Sequence, residues 1–458
     1  MSKKLTILFL LAAFLMTSGF GCKTASQQVQ NAIKPITLVY WRVYDDQDAF
    51  QDIITKYKAL HPFITIEYHK LRYDEYENAL VNALAEDRGP DIFSLPNTAI
   101  AKYQTKLAPM PDTITMAYPV VQGTVQKTVV TEMRTTNSLT LKGLKDNFVD
   151  VVSHDVILND GKIYGLPLSV DTLALYYNKD LLNNAGISQP PTYWNKEFIQ
   201  DIKKLTLQDP KKGIVISGIA LGGSSNINRF SDILSVLMMQ NGADMMENGQ
   251  ILFSVPPAFA KNTDYNPGLE ALRFYSEFAD PTKESYSWGN NLANSLDMFI
   301  SGNLAMMLSY SYDLPTIKAR APKLNFSIAP LPQIEGNPPT NVNFANYWIE
   351  VVSKKSQHIN EAWDFIQFAT QQEQAKSYLD KTKRPTALRS LVDGQKNNNE
   401  IGVFAGEVLT AKSWYTGKNE TAAEDAFKEM IDTVIGNPNV KLKDVIDNGA
   451  AKVQQTVN

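Results

Sequence analysis

Within residues 160–194, DGKIYGLPLSVDTLALYYNKDLLNNAGISQPPTYW, the side-chain period changes from that of a strand to that of a helix, which constrains the chain to alternate the two. Asp160-Gly161 forms a tight turn, residues 163–168 extend to and past Pro167, and Leu173, Leu175 and Tyr177 continue a strand at period two. Asn178 then caps a short helix over 179–185, Gly186 stops it, and Pro190-Pro191 blocks continuation before a further helix near Asn195. The same alternation opens the chain. A strand from Ile36 to Trp41 leads to a helix over about 47–60, with Phe50, Ile53, Ile54 and Tyr57 on one face, ended by His61-Pro62. Strands at 63–68 and 92–95 follow, so the fold class is α/β.

The 160–194 segment resembles the phrase "DGKxYGLP, VxxxALxYNKDLxxxAGI, PPxTW" of the family 1 extracellular solute-binding proteins of ABC importers, a group that includes maltodextrin- and other sugar-binding proteins. Only its end departs, with one extra residue before Trp194. The resemblance runs on in order. ITLVYW at 36–41 is similar to the family's first strand, YDEYENALVNALAEDRGPD at 73–91 to its first helix, and GNLAMMLSYSY at 302–312 to its "GKAAM" strand. Pro330-Leu331-Pro332 is similar to the second crossover, NEAWDFIQF at 360–368 to the helix after "VSKKS", and KSWY at 412–415 to a late aromatic pair. The resemblance implies a periplasmic-binding-protein-like fold of two α/β lobes joined by hinge strands. The expected lobes are 35–170 with 332–384, and 171–331 with 385–458, with hinges near 169–173, 329–332 and 384–388. It further implies capture of a solute by hinge closure and delivery to a membrane permease with a separate ATPase.

Lys3 and Lys4 precede an apolar run from Leu5 to Met16, the pattern of an export signal, too short for a bilayer span. Cys22, the single cysteine, follows Gly19-Phe20-Gly21 at the end of that signal and is read as a lipidation site, although Gly19 and Phe20 depart from the usual lipoprotein box. Residues 23–34 are polar and read as a tether between membrane and folded body. The expected location is the outer face of the cytoplasmic membrane, and the expected state is a monomer.

The 458 residues, 44% of them hydrophobic, suffice for more than one core, and a net charge of −4 with no basic run argues against nucleic acid. A lone cysteine excludes an intramolecular disulfide. No GxxxxGK[ST], HExxH or GxSxG motif occurs, and His61, His69, His154 and His358 do not pair at ligand spacing, so neither metal nor cofactor is expected. Gly222-Gly223-Ser224-Ser225 lacks the lysine of a phosphate cradle and is read as a cleft-edge loop. The 113–140 stretch, rich in threonine, is read as an insertion of unknown purpose.

Sugars are held by aromatic faces against their C–H surfaces and by carboxylates and amides on their hydroxyls. Candidate contacts are therefore Tyr44, Asp45 and Asp46 after the first strand, and Asp171, a polar group within an apolar strand. The two aspartates have an alternative role as helix caps. By resemblance, Tyr312 and Trp414 align with stacking positions of maltodextrin binders, and Tyr415 accompanies Trp414. Trp288 and Tyr347-Trp348 fall in loops and join the list, whereas Tyr176, Tyr177 and the pairs Met238-Met239 and Met306-Met307 are read as core. The expected ligand is a sugar or oligosaccharide. Glycerol phosphate, a polyamine or an iron complex would suit the same fold, and a glycan-acting enzyme would use Asp45, Asp46 or Asp171 as paired carboxylates.

Overall fold

A computed structural model describes residues 29, 33–124, 127–260, 265–336, 341–437 and 439–457. The export signal, Cys22 and most of the tether lie outside them. The strands are β1 (Ile36–Val43), β2 (Ile64–Leu71), β3 (Ile92–Pro96), β4 (Thr113–Gln122), β5 (Thr128–Asn137), β6 (Asp171–Thr172), β7 (Ala174–Asn178), β8 (Leu207–Asp209), β9 (Gly213–Ile219), β10 (Met246–Glu247), β11 (Gln250–Ile251), β12 (Leu304–Ser309), β13 (Phe326–Ala329), β14 (Asn343–Asn346), β15 (Trp348–Val352) and β16 (Ala411–Lys412). Six helices matter below: α1 (Gln47–Leu60), α2 (Tyr73–Ala85), α3 (Phe230–Gln240), α4 (Ile359–Ala369), α5 (Gln372–Thr382) and α6 (Glu420–Gly436).

Local signals act where the sequence places them. Phe50, Ile53 and Tyr57 bury one face of α1, and the His61 amide closes its last turn on the Tyr57 carbonyl. The Asn178 side chain accepts from the amides of Asp180 and Leu181, opening a helix over Lys179–Asn184 that ends at Gly186, whose φ is +72°. Asn195 caps the next helix, Lys196–Leu205, through the Phe198 amide. The run at 163–168 stays extended but forms only isolated bridges, Ile163 to Ile157 and Leu166 to Glu350.

Two larger sheets carry two separate cores. One has the order β15-β3-β1-β2, with β1 parallel to both β2 and β3, and the other β13-β7-β12-β9-β8. Around the first pack Leu38, Phe50, Phe93, Val170, Ile349 and Trp363; around the second, Leu173, Tyr176, Leu237, Trp288, Met306 and Phe427. The chain therefore changes core between Val170 and Leu173, then between Phe344 and Ala345, and a third time across 404–414, where Phe404 and Trp414 belong to the second core and Val408 and Ala411 to the first.

Those three passages pair with one another as a small sheet, β16-β14-β6. The first coincides with the region expected near 169–173. The other two do not coincide with 329–332 and 384–388: Leu331 and Val342 pack in the second core, and Ala387, Leu388 and Val392 in the first. The division by core thus falls later in the chain than borders at 332 and 385. Proline-rich punctuation marked a bend, and the burial of the residues after it decides which lobe owns them.

Residues 113–122 and 128–137 form an antiparallel ribbon, β4 with β5, paired in one continuous register from Thr113–Asn137 to Gln122–Thr128. Ile114 and Met116 fix its base in the first core, and Tyr118 packs edge-on against the buried His61 ring at 4.8 Å.

Candidate ligand-binding cleft

Between the two cores lies a cavity of about 900 Å³, and both supply its walls. On the first side it opens at the carboxyl ends of β1, β2 and β3, where open α/β sheets place ligands. Tyr44 follows β1 in a left-handed conformation, φ +67°, which turns its ring away from the strand line, and it is 48% exposed. Tyr73, the first residue of α2, stacks on it at 5.7 Å and 20°. Trp348 meets the Tyr44 ring edge-on at 5.8 Å and the Tyr76 ring at 5.9 Å. The result is an aromatic wall built from three separate segments.

The facing side carries Tyr312, 46% exposed after β12 and stacked at 5.5 Å on buried Tyr310. Arg229, at φ +56° before α3, holds Asp232 through two bonds of 2.8 and 2.9 Å and lies 3.4 Å from Glu424. Asp232 also accepts from the Tyr310 hydroxyl at 2.6 Å. Glu420, in the first turn of α6, accepts a 2.7 Å bond from the Thr98 hydroxyl of the first lobe. Its carboxyl is pushed up by burial, and the Thr98 donor acts in the opposite direction.

Asp171 sits at the first passage between the lobes. One of its oxygens accepts from the amides of Thr172 and Ser311 at 2.9 and 3.2 Å, and the other from the Ser311 hydroxyl at 2.7 Å. Burial nevertheless pushes its pKa up to about 6, against those donors and Arg384.

Of the residues singled out from sequence, Tyr44, Asp171, Tyr312, Tyr347, Trp348, Trp414 and Tyr415 line the cavity. Three of them are largely buried, with their polar atoms already bonded inside the protein. The Tyr347 hydroxyl donates to Asp155 at 2.6 Å, the Trp414 indole to Ser235 at 3.0 Å while its ring stacks on Phe427, and the Tyr415 hydroxyl to Thr456 at 2.9 Å.

The other three do not reach the cavity. Asp45 is buried among cations, accepting from Arg384 at 2.9 Å and Tyr378 at 2.9 Å and pairing with Arg42 at 3.0 Å. Asp46 occupies the N-cap position of α1 but makes no capping bond, and its carboxylate pairs with Lys70 at 2.8 Å. Trp288 is fully buried in the second core, its indole donating to Asn226 at 2.9 Å. Gly222-Gly223 likewise lies away from the cleft, where a side chain at Gly223 would meet the Trp288 ring. Sequence reasoning missed Tyr73, Arg229, Asp232, Glu420 and Glu424. Asn419, capping α6 through the Ala422 amide just after the 412–415 aromatics, was a signal for Glu420.

Among the described residues no group of His, Cys, Asp and Glu is placed to hold a metal ion, and no helix is long and apolar enough to cross a membrane.

Two α/β lobes, three passages joined as one sheet and an aromatic cavity between the lobes define a two-lobed binding protein. The chain belongs to the bacterial extracellular solute-binding protein family, whose pattern matches residues 44–376. It is 25% identical to the maltodextrin-binding protein MdxE of Bacillus subtilis over 63% of this chain and 64% of that protein. With the galactooligosaccharide-binding protein of the same organism it shares 21% identity over 86% and 82%. The chain spans about three fifths of the length of several curated relatives that it matches. Solved structures of a cyclo/maltodextrin-binding protein complexed with maltotetraose and of the cyclic α-maltosyl-1,6-maltose binding protein of Arthrobacter globiformis share its fold. Their TM-scores are 0.70 and 0.71 at 17% and 18% identity, covering 93% and 92% of this chain and 98% and 99% of theirs.

Proposed function

We propose that this protein captures a neutral oligosaccharide between its lobes and presents it to a membrane permease whose ATPase is a separate subunit. The observation that carries this reading is the pair of exposed aromatic surfaces, Tyr44–Tyr73 with Trp348 on one wall and Tyr312 on the other, with carboxyl groups between them. Aromatic rings take the C–H faces of a pyranose, and Asp171, Glu420 and Glu424 accept from its hydroxyls. A cavity of about 900 Å³ is within the size range of small-molecule sites. The related proteins named for maltodextrins and galactooligosaccharides support the same class of ligand.

The three-stranded junction β16-β14-β6 serves as the hinge, since short strands there absorb rotation while each core moves as a unit. Export through the first residues, lipidation at Cys22 and a location outside the cytoplasmic membrane complete the reading, and they rest on the sequence pattern.

A phosphorylated ligand fits less well. Of the four cations in the cavity wall, Arg229, Arg384 and Lys102 are each engaged by a carboxylate, which leaves Lys418 alone, among the described residues, without an ion pair and too few free charges for a phosphate clamp. A glycan-acting enzyme keeps only Asp171 of its three candidate acids, because Asp45 and Asp46 lie outside the cavity. A thermal-shift panel of the full chain in detergent tests the reading. A raised transition with a neutral oligosaccharide is expected, and a shift with glycerol phosphate or a polyamine but none with sugars would overturn it.

A further inference from the structure

The β4–β5 ribbon has two unlike edges. β4 lies against α4 and carries Pro119, which has no N–H to offer a further strand. On the other side, β5 has neither protection. Its sequence TVVTEMRTTN contains no proline or lysine, its register shows no bulge, and its residues are half-buried or exposed throughout. Among the described residues, its backbone hydrogen-bonds to β4 alone. Natural sheets cover or break such an edge, because a row of unpaired amides and carbonyls is a template for another strand. The threonines and valines of β5 favour extended backbone, and Glu132 and Arg134 leave the strand with no net charge.

The order of those two charges selects the partner. Glu132 and Arg134 lie two apart on one face, 43% and 49% exposed and 3.8 Å from each other; within the chain Glu132 accepts from the Gln122 amide at 2.8 Å and Arg134 lies over the Tyr118 ring at 5.3 Å, neutral partners that leave both charges uncompensated by a close ion pair. Let a second β5 approach antiparallel, with the two-fold axis normal to the ribbon so that like faces stay together. A dyad through residue 132 sets Glu132 against itself, and one through residue 134 sets Arg134 against itself. A dyad through Met133 sets Glu132 of each copy opposite Arg134 of the other, with Thr131 opposite Thr135 and Val129 opposite Asn137. Unlike charges opposite each other stabilise an antiparallel pair and like charges oppose it, so one register is favoured and its neighbours on either side are disfavoured.

We propose that β5 is a self-association edge: two copies of this chain pair antiparallel through residues 129–137 about Met133, joining their ribbons into one four-stranded sheet. The exposed Val121–Val129 pair near the end of each ribbon extends the apolar surface beside that seam. A single strand pairing covers less than the roughly 1,000 Å² that a stable interface clears. The dimer is therefore weak and forms where chains are concentrated, as they are when tethered to one membrane surface. This modifies the expectation of a simple monomer, and it does not depend on which ligand the cleft takes.

Sedimentation velocity of the full chain in detergent, across a concentration series, tests the pairing. A concentration-dependent dimer is expected. Glu132→Arg and Arg134→Glu should each abolish it at concentrations where the wild type dimerises, and the double exchange should restore it. Oxidation should link copies of Met133→Cys but not of Thr115→Cys on β4. Unchanged melting curves would show that these surface variants fold. A monomer at every concentration, or a dimer indifferent to the two charge reversals, would overturn the proposal.

Discussion

Thr98 and Glu420 join the two lobes directly: the hydroxyl just after β3 donates at 2.7 Å to a carboxylate in the first turn of α6. The bond exists only while the lobes are close, so it belongs to the closed cleft rather than to either core. Removing it with Thr98→Val leaves both cores intact and deprives a buried carboxyl of a donor. Ligand affinity should fall by about tenfold, the size of one net hydrogen bond to a charged group, with the melting temperature nearly unchanged. Isothermal titration beside a thermal melt checks both halves of that expectation.

Tyr44→Ala and Tyr312→Ala each remove an exposed ring from one wall. Each should weaken sugar binding by about 1–3 kcal/mol at little loss of stability. Trp414→Ala should behave differently from what its place in the sequence implied. Its ring stacks on Phe427 and its indole donates to Ser235, so truncation should cost stability, on the order of 3–5 kcal/mol, in chemical denaturation.

Asp45→Ala tests the correction to the acid cluster. Arg42 is buried with Asp45 and Glu350 as its ion-pair partners, and Arg384 also leans on Asp45. Taking away one partner of a buried network leaves uncompensated cationic charge, which costs about 3–5 kcal/mol. Urea titration should show that loss. A variant of wild-type stability that no longer bound sugar would return Asp45 to the cleft.

Asp171 sets a pH dependence. Its folded pKa is raised from 3.8 to about 6, so between those values the folded state binds more protons than the unfolded one. The cost of keeping it ionised is present above pH 6, declines as pH falls through 6, and is gone below about 4. Its share of stability should therefore rise on mild acidification, on the order of 2–3 kcal/mol. Asp171→Asn should flatten that part of the profile when unfolding free energies are measured between pH 7 and 4.5.

How far the sequence could be read depends on the range of the forces involved. Asn178, Gly186 and Asn195 act within four residues of themselves, and each does what its local pattern implied. Trp288 could not be placed in this way, because its burial depends on Asn226 and Gly223, distant in sequence. Asp45 is drawn from the cleft by Tyr378 and Arg384, more than three hundred residues away. The left-handed backbone at Tyr44 and Arg229, which aims both into the cavity, has no signature in side chains that ordinarily avoid it. The ribbon at 113–137 was visible only as a threonine-rich stretch, since its pairing register and its anchorage on His61 are tertiary.

Isothermal titration of the full chain with a neutral oligosaccharide, in parallel with the same sugar carrying a phosphate, bears most directly on the cleft. Saturable binding of the neutral sugar at about micromolar affinity, weakened by Tyr44→Ala and by Tyr312→Ala and at least tenfold poorer for the phosphorylated form, is the predicted result. Equal or tighter binding of the phosphorylated sugar, or binding indifferent to both tyrosines, would contradict capture of a neutral sugar between the two aromatic walls.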